Sequence, residues 1–266
     1  MKKMFSLLLA LMMLCCIAGA AQAESYDKVV MSYPDAKRPY PTLYFLPGFS
    51  ASAEEIAFAL PLRQMSALYG VAVVVPDGEN AFYTDHPERA LSMGEYIGEE
   101  LVEISRKMFP CLSHEREDTF IGGISMGGYG AAALGLHYAE RFSKMALFSP
   151  ALEADTLLLN APEDIMPPGL FPALFGSREA YASSPRLNPF RGVQDALDSG
   201  RMLPGIWMCC GEEDLAVRDA CRRFDAFLAE NRVPHQAVFG HGEHDYLYWD
   251  AHLEEAFRFL RGNPGC

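Results

Sequence analysis

Apolar positions along the chain fall into two alternating rhythms. Thr42-Leu-Tyr-Phe-Leu-Pro47 and Val71-Ala-Val-Val-Val-Pro76 are unbroken apolar runs, the pattern of strands buried on both faces. Residues 120–124, 144–149, 205–210 and 236–239 read the same way, and residues 28–33 read as an edge strand. Between these runs the spacing changes to that of helices. Residues 61–69 form one, and the next carries Ile97, Leu101, Ile104 and Met108 at i, i+4, i+7 and i+11 with charges on its other face. A small-residue helix follows Ser125, a later one carries Val217, Cys221, Phe224 and Leu228, and the last carries Leu253, Phe257 and Leu260. This alternation predicts an α/β fold: a mostly parallel central sheet with helices on both faces.

Two stretches depart from the rhythm. Residues 77–89 read as a polar loop containing Asn80-Ala-Phe-Tyr-Thr-Asp85. Residues 150–203 are rich in Pro, Leu and Phe with no sustained period, and are expected to form a cap-like insertion over the sheet edge. No internal repeat or linker divides residues 24–266, so one domain is expected.

The first residues change the picture of where the chain works. Lys2-Lys3, the apolar stretch 4–18 and Ala21-Gln-Ala23 have the order of a cleavable secretory signal peptide, with cleavage expected after Ala23 and a secreted or periplasmic product. The apolar run is short for a bilayer span, and no later segment is suited to one, so no stable membrane insertion is expected. Net charge is −13, and losing Lys2 and Lys3 with the leader makes it about −15. With no Lys/Arg run, such a surface repels nucleic acid. Cysteines 111, 209, 210, 221 and 266 remain after cleavage, an odd set at irregular spacing and no disulfide framework. Cys209-Cys210 lie in an apolar run and read as buried thiols.

Candidate chemistry begins where the run 120–124 breaks into Gly123-Ile-Ser125-Met-Gly127. This G-x-S-x-G pattern between strand and helix is the nucleophile elbow, in which a sharp turn presents the serine hydroxyl at the carboxyl edge of a sheet. Such a turn is strained and crowded, and glycines two positions either side remove the Cβ atoms that would collide. In parallel sheets, sites gather at the carboxyl ends of strands. Two later strands end in loops carrying an acid and a base: Gly211-Glu-Glu-Asp214 and Gly240-His-Gly-Glu-His244-Asp245. The order Ser, Asp, His is that of α/β-hydrolases. His241 competes with His244 for the base, and Glu212, Glu213 and Asp219 compete with Asp214 for the acid. Ser149 also ends a strand but lacks the elbow glycines. His241, His244 and Asp245 are too few for a zinc site, so no metal and no cofactor is expected.

Several motifs together resemble the esterase D family. These are Leu46-Pro-Gly-Phe49, Pro76-Asp-Gly with Phe82-Tyr-Thr-Asp85, Gly122-Gly-Ile-Ser-Met-Gly-Gly-Tyr-Gly130, Cys210-Gly-Glu-Glu-Asp214 and His244-Asp-Tyr-Leu-Tyr-Trp249. That family groups S-formylglutathione hydrolases, tributyrin, feruloyl and acetyl-xylan esterases, and mycolyltransferases. Pro47 departs from the pattern, since many members carry His or Ser there. The resemblance implies an α/β-hydrolase fold, Ser125 as nucleophile, His244 as base and then acid, and Asp214 as the group orienting it. It also implies an oxyanion hole from the backbone N–H groups of Phe49 and Met126. Tyr83 and Asp85 hold family pocket positions, but an aromatic and an acid in a loop equally serve packing and capping. Phe49, Tyr129 and residues 150–203 are expected to shape the acyl pocket.

The reading is therefore a secreted serine esterase forming an acyl-serine intermediate, on a small-molecule or glycan-linked acyl ester such as acetyl or feruloyl. An acyltransferase using the same residues, or a binding protein on the same fold, are the alternatives.

Overall fold

The computed structural model describes residues 30–32, 39–86, 91–160 and 167–262. The strands of the main sheet are β1 (Val30–Ser32), β2 (Thr42–Leu46), β3 (Ala72–Val75), β4 (Thr119–Ile124), β5 (Lys144–Phe148), β6 (Gly205–Gly211) and β7 (His235–Gly240), and a separate two-stranded pair joins Asp85–His86 to Leu91–Ser92. They form one sheet in the order β1-β3-β2-β4-β5-β6-β7, parallel throughout except for β1, which runs antiparallel to β3 at the edge. The leader and Cys266 lie outside the described residues.

Alternate side chains explain why the strands are apolar without a break. Tyr44 and Leu46 of β2 enter the core on one face, Leu43 and Phe45 that on the other. The first face is covered by α3 (Leu101–Met108), α4 (Met126–His137) and α9 (Arg218–Glu230), the second by α1 (Ala53–Ala59), α2 (Leu62–Tyr69) and α10 (Tyr246–Arg261). α4 is buried almost all round, which its Gly, Ala and Leu composition permits.

Strand order reverses between β2 and β4: β3 lies to one side of β2, and β4 to β7 continue on the other. In open α/β sheets the crevice beyond such a reversal is where ligands bind. Gly48-Phe49 follows β2 and Ser125 follows β4, so both stand at that crevice.

The helix expected from Ile97, Leu101, Ile104 and Met108 does not keep one face inward. Ile97 and Leu101 are buried, but Met108 is 66% exposed, and Val102 and Ser105 take inward positions. The reason is a π-helical turn at Tyr96–Glu100, whose extra residue rotates the face that follows. Gly98 in this turn lies under the Tyr138 ring, where a Cβ would collide with it.

The loop after β3 is corrected too: Ala81, Phe82, Tyr83 and Thr84 are buried, not a polar surface excursion. Residues 150–203 hold α5 (Ala154–Asn160), α6 (Leu170–Phe175), α7 (Arg178–Ser183) and α8 (Pro189–Ser199), although no long period announced them. α8 is bounded by an Asn188 cap, Pro189 in the first turn and Gly200 in the left-handed region, signals that the composition of the stretch obscured. Phe171, Phe175 and Tyr181 pack into the core cluster that contains Phe82 and Tyr129.

Candidate active site

Ser125 sits between β4, the central strand, and α4, with φ 56° and ψ −112°. This is an unfavourable backbone for a residue with a Cβ, and the surroundings hold it there. Its N–H donates to the Phe148 carbonyl at 2.9 Å, and its carbonyl accepts from Tyr129 and Ala151. The flanking glycines answer a second demand. A Cβ at Gly123 would lie 2.6 Å from the Leu46 carbonyl oxygen and 2.6 Å from Gly127 backbone, and one at Gly127 would collide with that same carbonyl. The elbow is pressed against the end of β2, and that closeness brings Gly48 to Ser125: a Cβ on Gly48 would stand 3.6 Å from the Ser125 Cβ.

The acid and base arrive on the loops after β6 and β7. His244 Nδ1 lies 2.7 Å from Asp214 Oδ2. Asp214 is 1% exposed, and its Oδ1 accepts from the N–H groups of Ala216 and Val217, both at 3.2 Å. Burial alone would raise its pKa; the hydrogen bond and charge of His244, with the Ser149 hydroxyl and Val217 N–H, outweigh that and hold it below the ordinary aspartate value. With Nδ1–H donating to the carboxylate, Nε2 is left with the lone pair that accepts a proton.

The rivals have other work. His241 is 92% exposed at the side chain and pairs with Glu213, whose Oε2 accepts from Gly242 N–H at 2.6 Å. Together with Glu212 N–H to the Gly240 carbonyl and Glu213 N–H to the Gly242 carbonyl, these bonds zip the two loops so that Asp214 meets His244. Glu212 pairs with Arg222, and Asp219 with Arg218. Asp245 caps α10 through Tyr248 N–H. Tyr83 and Asp85 serve packing and capping: the Tyr83 hydroxyl donates to the Pro47 carbonyl at 2.8 Å, and Asp85 Oδ1 accepts from Gly94 and Glu95 N–H.

Ser149 was set aside by its sequence, yet it lies behind the acid. It is fully buried, has φ 42°, accepts a bond from the Trp249 indole at 3.1 Å and adjoins Asp214. A strand-ending serine and a tryptophan 100 positions later carry no local signal of such a meeting. The Cys210 thiol also approaches Asp214 Oδ2, at 3.8 Å. Cys209, Cys210 and Cys221 are buried free thiols.

Ser125 and His244 line one cleft of about 340 Å³ with Gly48, Phe49, Tyr246 and Trp249. Met126, whose N–H opens α4 beside the serine, is buried. The expected pocket wall is corrected in part. Phe49 lines the cleft, but no described residue of 150–203 does, and Tyr129 is buried with its hydroxyl bonded to the Leu187 carbonyl. Among the described residues no group of three His, Cys, Asp or Glu side chains gathers as metal ligands would, and no helix is long and apolar enough to cross a membrane.

The chain shares sequence and fold with known proteins. The model of the Esterase family matches residues 25–260. An acetyl esterase of Caldicellulosiruptor saccharolyticus is 32% identical over 237 residues, 82% of this chain and 82% of that one. An S-formylglutathione hydrolase of Paracoccus denitrificans is 30% identical over 139 residues, 44% of this chain and 49% of its own. Among solved structures, the substrate-bound fluorophosphonate-binding serine hydrolase FphF of Staphylococcus aureus superposes with a TM-score of 0.77 at 25% identity, covering 87% of this chain and 91% of the other. The chain belongs to the Esterase family: it is a carboxylic-ester hydrolase of the serine type, built on the α/β-hydrolase fold.

Proposed function

We propose that Ser125 is the nucleophile, His244 the general base and acid, and Asp214 the carboxylate that orients His244, acting on small acyl esters. One observation carries this reading. Ser125 and His244 line the same cleft, and His244 is tied through Nδ1 to a buried Asp214. Serine is a weak nucleophile until a neighbouring base takes its proton. His244 Nε2 takes the Oγ proton as Oγ attacks the ester carbonyl, and the negative charge moves to the carbonyl oxygen. The N–H groups of Met126 and Phe49 receive that charge in the same reading. The imidazolium then protonates the departing alcohol, leaving an acyl-serine, and water repeats the sequence to release the acid.

A small acyl group is supported by the size of the cleft and by the acetyl esterase relative. Glycan-linked acetyl or feruloyl esters are the natural extension of this reading. Residues 1–23 would direct the chain out of the cell, which favours such exogenous esters over a cytosolic thioester.

Hydrolysis of p-nitrophenyl esters from C2 to C16 by residues 24–266 tests the assignment. Ser125→Ala is expected to lower kcat by ~10⁴–10⁶-fold, with the wild-type optimum at the short end. Equal, slow rates for both proteins would reject Ser125 as nucleophile. Release of acetate or ferulate from acylated xylan tests the glycan extension, and S-formylglutathione assayed alongside tests the thioester.

A further inference from the structure

One wall of the cleft has no part in the hydrolytic steps. Glu55, on α1, and Tyr246, the first residue of α10, line it beside His244 and Trp249. Their side chains meet although 191 positions separate them: the Tyr246 hydroxyl donates to Glu55 Oε1 at 3.0 Å. Glu55 forms no ion pair and no second side-chain hydrogen bond among the described residues. A carboxylate has acceptor capacity for several donors, so most of this one remains open. Burial, then the bond to Glu55 and its charge, push the Tyr246 phenol up to about 12, and it remains an uncharged hydroxyl at neutral pH.

The wall also has a defined place relative to the reaction. Tyr246 packs edge-on against Trp249 with centroids 5.1 Å apart, and His244 packs edge-on against the same indole at 5.1 Å. The imidazolium must hand its proton to the departing alcohol oxygen, so the alcohol half of the ester lies on the His244 side. Glu55 and Tyr246 therefore flank the leaving group.

We propose that Glu55 and Tyr246 form a leaving-group subsite selecting esters whose alcohol carries a hydrogen-bond donor, either a hydroxyl or a protonated amine, against alcohols carrying a carboxylate. The inference rests on the hydrolytic reading of Ser125 and His244. An open carboxylate in a partly enclosed cleft makes a charge-assisted hydrogen bond to a donor and repels a second carboxylate. Tyr246 fixes the Glu55 rotamer and offers its own oxygen as a further acceptor.

Acetate esters of matched size test this. They are 2-(dimethylamino)ethyl acetate against 3-methylbutyl acetate, 2-hydroxyethyl acetate against propyl acetate, and 3-acetoxypropanoate for the carboxylate. The readout is the ratio of kcat/KM between members, for wild type, Glu55→Gln and Tyr246→Phe. Wild type is expected to favour donor-bearing esters over their isosteres by roughly tenfold, mostly through KM, and to use the carboxylate ester least. Glu55→Gln should compress the amine-to-carboxylate ratio by roughly tenfold while keeping part of the hydroxyl preference, since an amide oxygen still accepts. The wild-type ratio should also narrow at high salt. A preference confined to the amine ester assigns the subsite to cations; one shared by both donor esters assigns it to hydroxyl-bearing alcohols. Ratios near one in wild type would overturn the subsite. So would an equal fall for every ester in Glu55→Gln with a lowered Tm, which would make the pair a mere latch. No turnover of any ester by wild type would instead remove the hydrolytic reading beneath it.

Discussion

Asp214 shows how one residue couples stability to function. It is buried and charged, and the partner that keeps it charged is His244. Asp214→Asn preserves shape but lets the imidazole turn to the wrong tautomer, and kcat is expected to fall by about 10⁴-fold. Its stability effect has a definite sign. A carboxyl whose folded pKa is depressed stabilises the fold above its unfolded pKa and loses that contribution as pH falls through the folded value. Urea midpoints of wild type and Asp214→Asn should therefore differ in full above about pH 5, with the difference shrinking below about pH 4. A gap that stays constant from neutral pH to about pH 3 would show that the charge is not its cause.

The elements differ in how much their glycines can yield. Gly127 faces the Leu46 and Pro47 carbonyls, backbone that cannot move without unzipping β2 from β4. Gly98 faces the Tyr138 ring, a side chain that can shift. Gly127→Ala is therefore expected to cost more than ~3 kcal/mol or to prevent folding, and Gly98→Ala about 1–3 kcal/mol, measured by denaturant unfolding. Equal costs would mean that the elbow is not clamped by β2. The start of α5 is tied to α7 by a different device. The buried Tyr181 hydroxyl donates to the Leu152 carbonyl at 3.0 Å and accepts from Ala154 N–H. Tyr181→Phe should leave two backbone groups short of a partner and cost about 1–2 kcal/mol, with faster amide exchange across residues 152–160 and 178–183 and little change in kcat. That kcat is spared follows from the cleft, which no described residue of 150–203 lines.

For the molecule as a whole, two helical layers on a seven-stranded sheet bury both faces and leave the site at the reversal of strand order. Expressed in a bacterium from its full sequence, the protein is expected outside the cytoplasm with an intact mass that begins at Glu24. A cytoplasmic product retaining Met1 would reject the leader reading. The strongly acidic charge, −13 over the whole chain, makes ionic strength a variable in every assay with charged esters.

The sequence alone determined the features written in local pattern. Apolar runs without alternation meant strands buried twice, and the strand–helix succession meant a parallel sheet. Gly123, Ser125 and Gly127 marked the elbow, because a strained turn leaves a compositional trace. It placed His244 and Asp214 at strand ends but left His241 and Glu213 beside them as rivals. The family resemblance preferred His244 and Asp214; the tertiary structure supplies the physical difference, which is burial: His244–Asp214 is shielded, whereas His241–Glu213 faces solvent. The π turn stayed invisible because one inserted residue shifts a helical face without changing which residues are apolar. Loop 77–86 misled because its burial comes from α4 and α6, which arrive later in the chain. Ser149 behind Asp214, and Glu55 across from Tyr246, are contacts between residues far apart in the chain. No spacing encodes them, and folding alone brings them together.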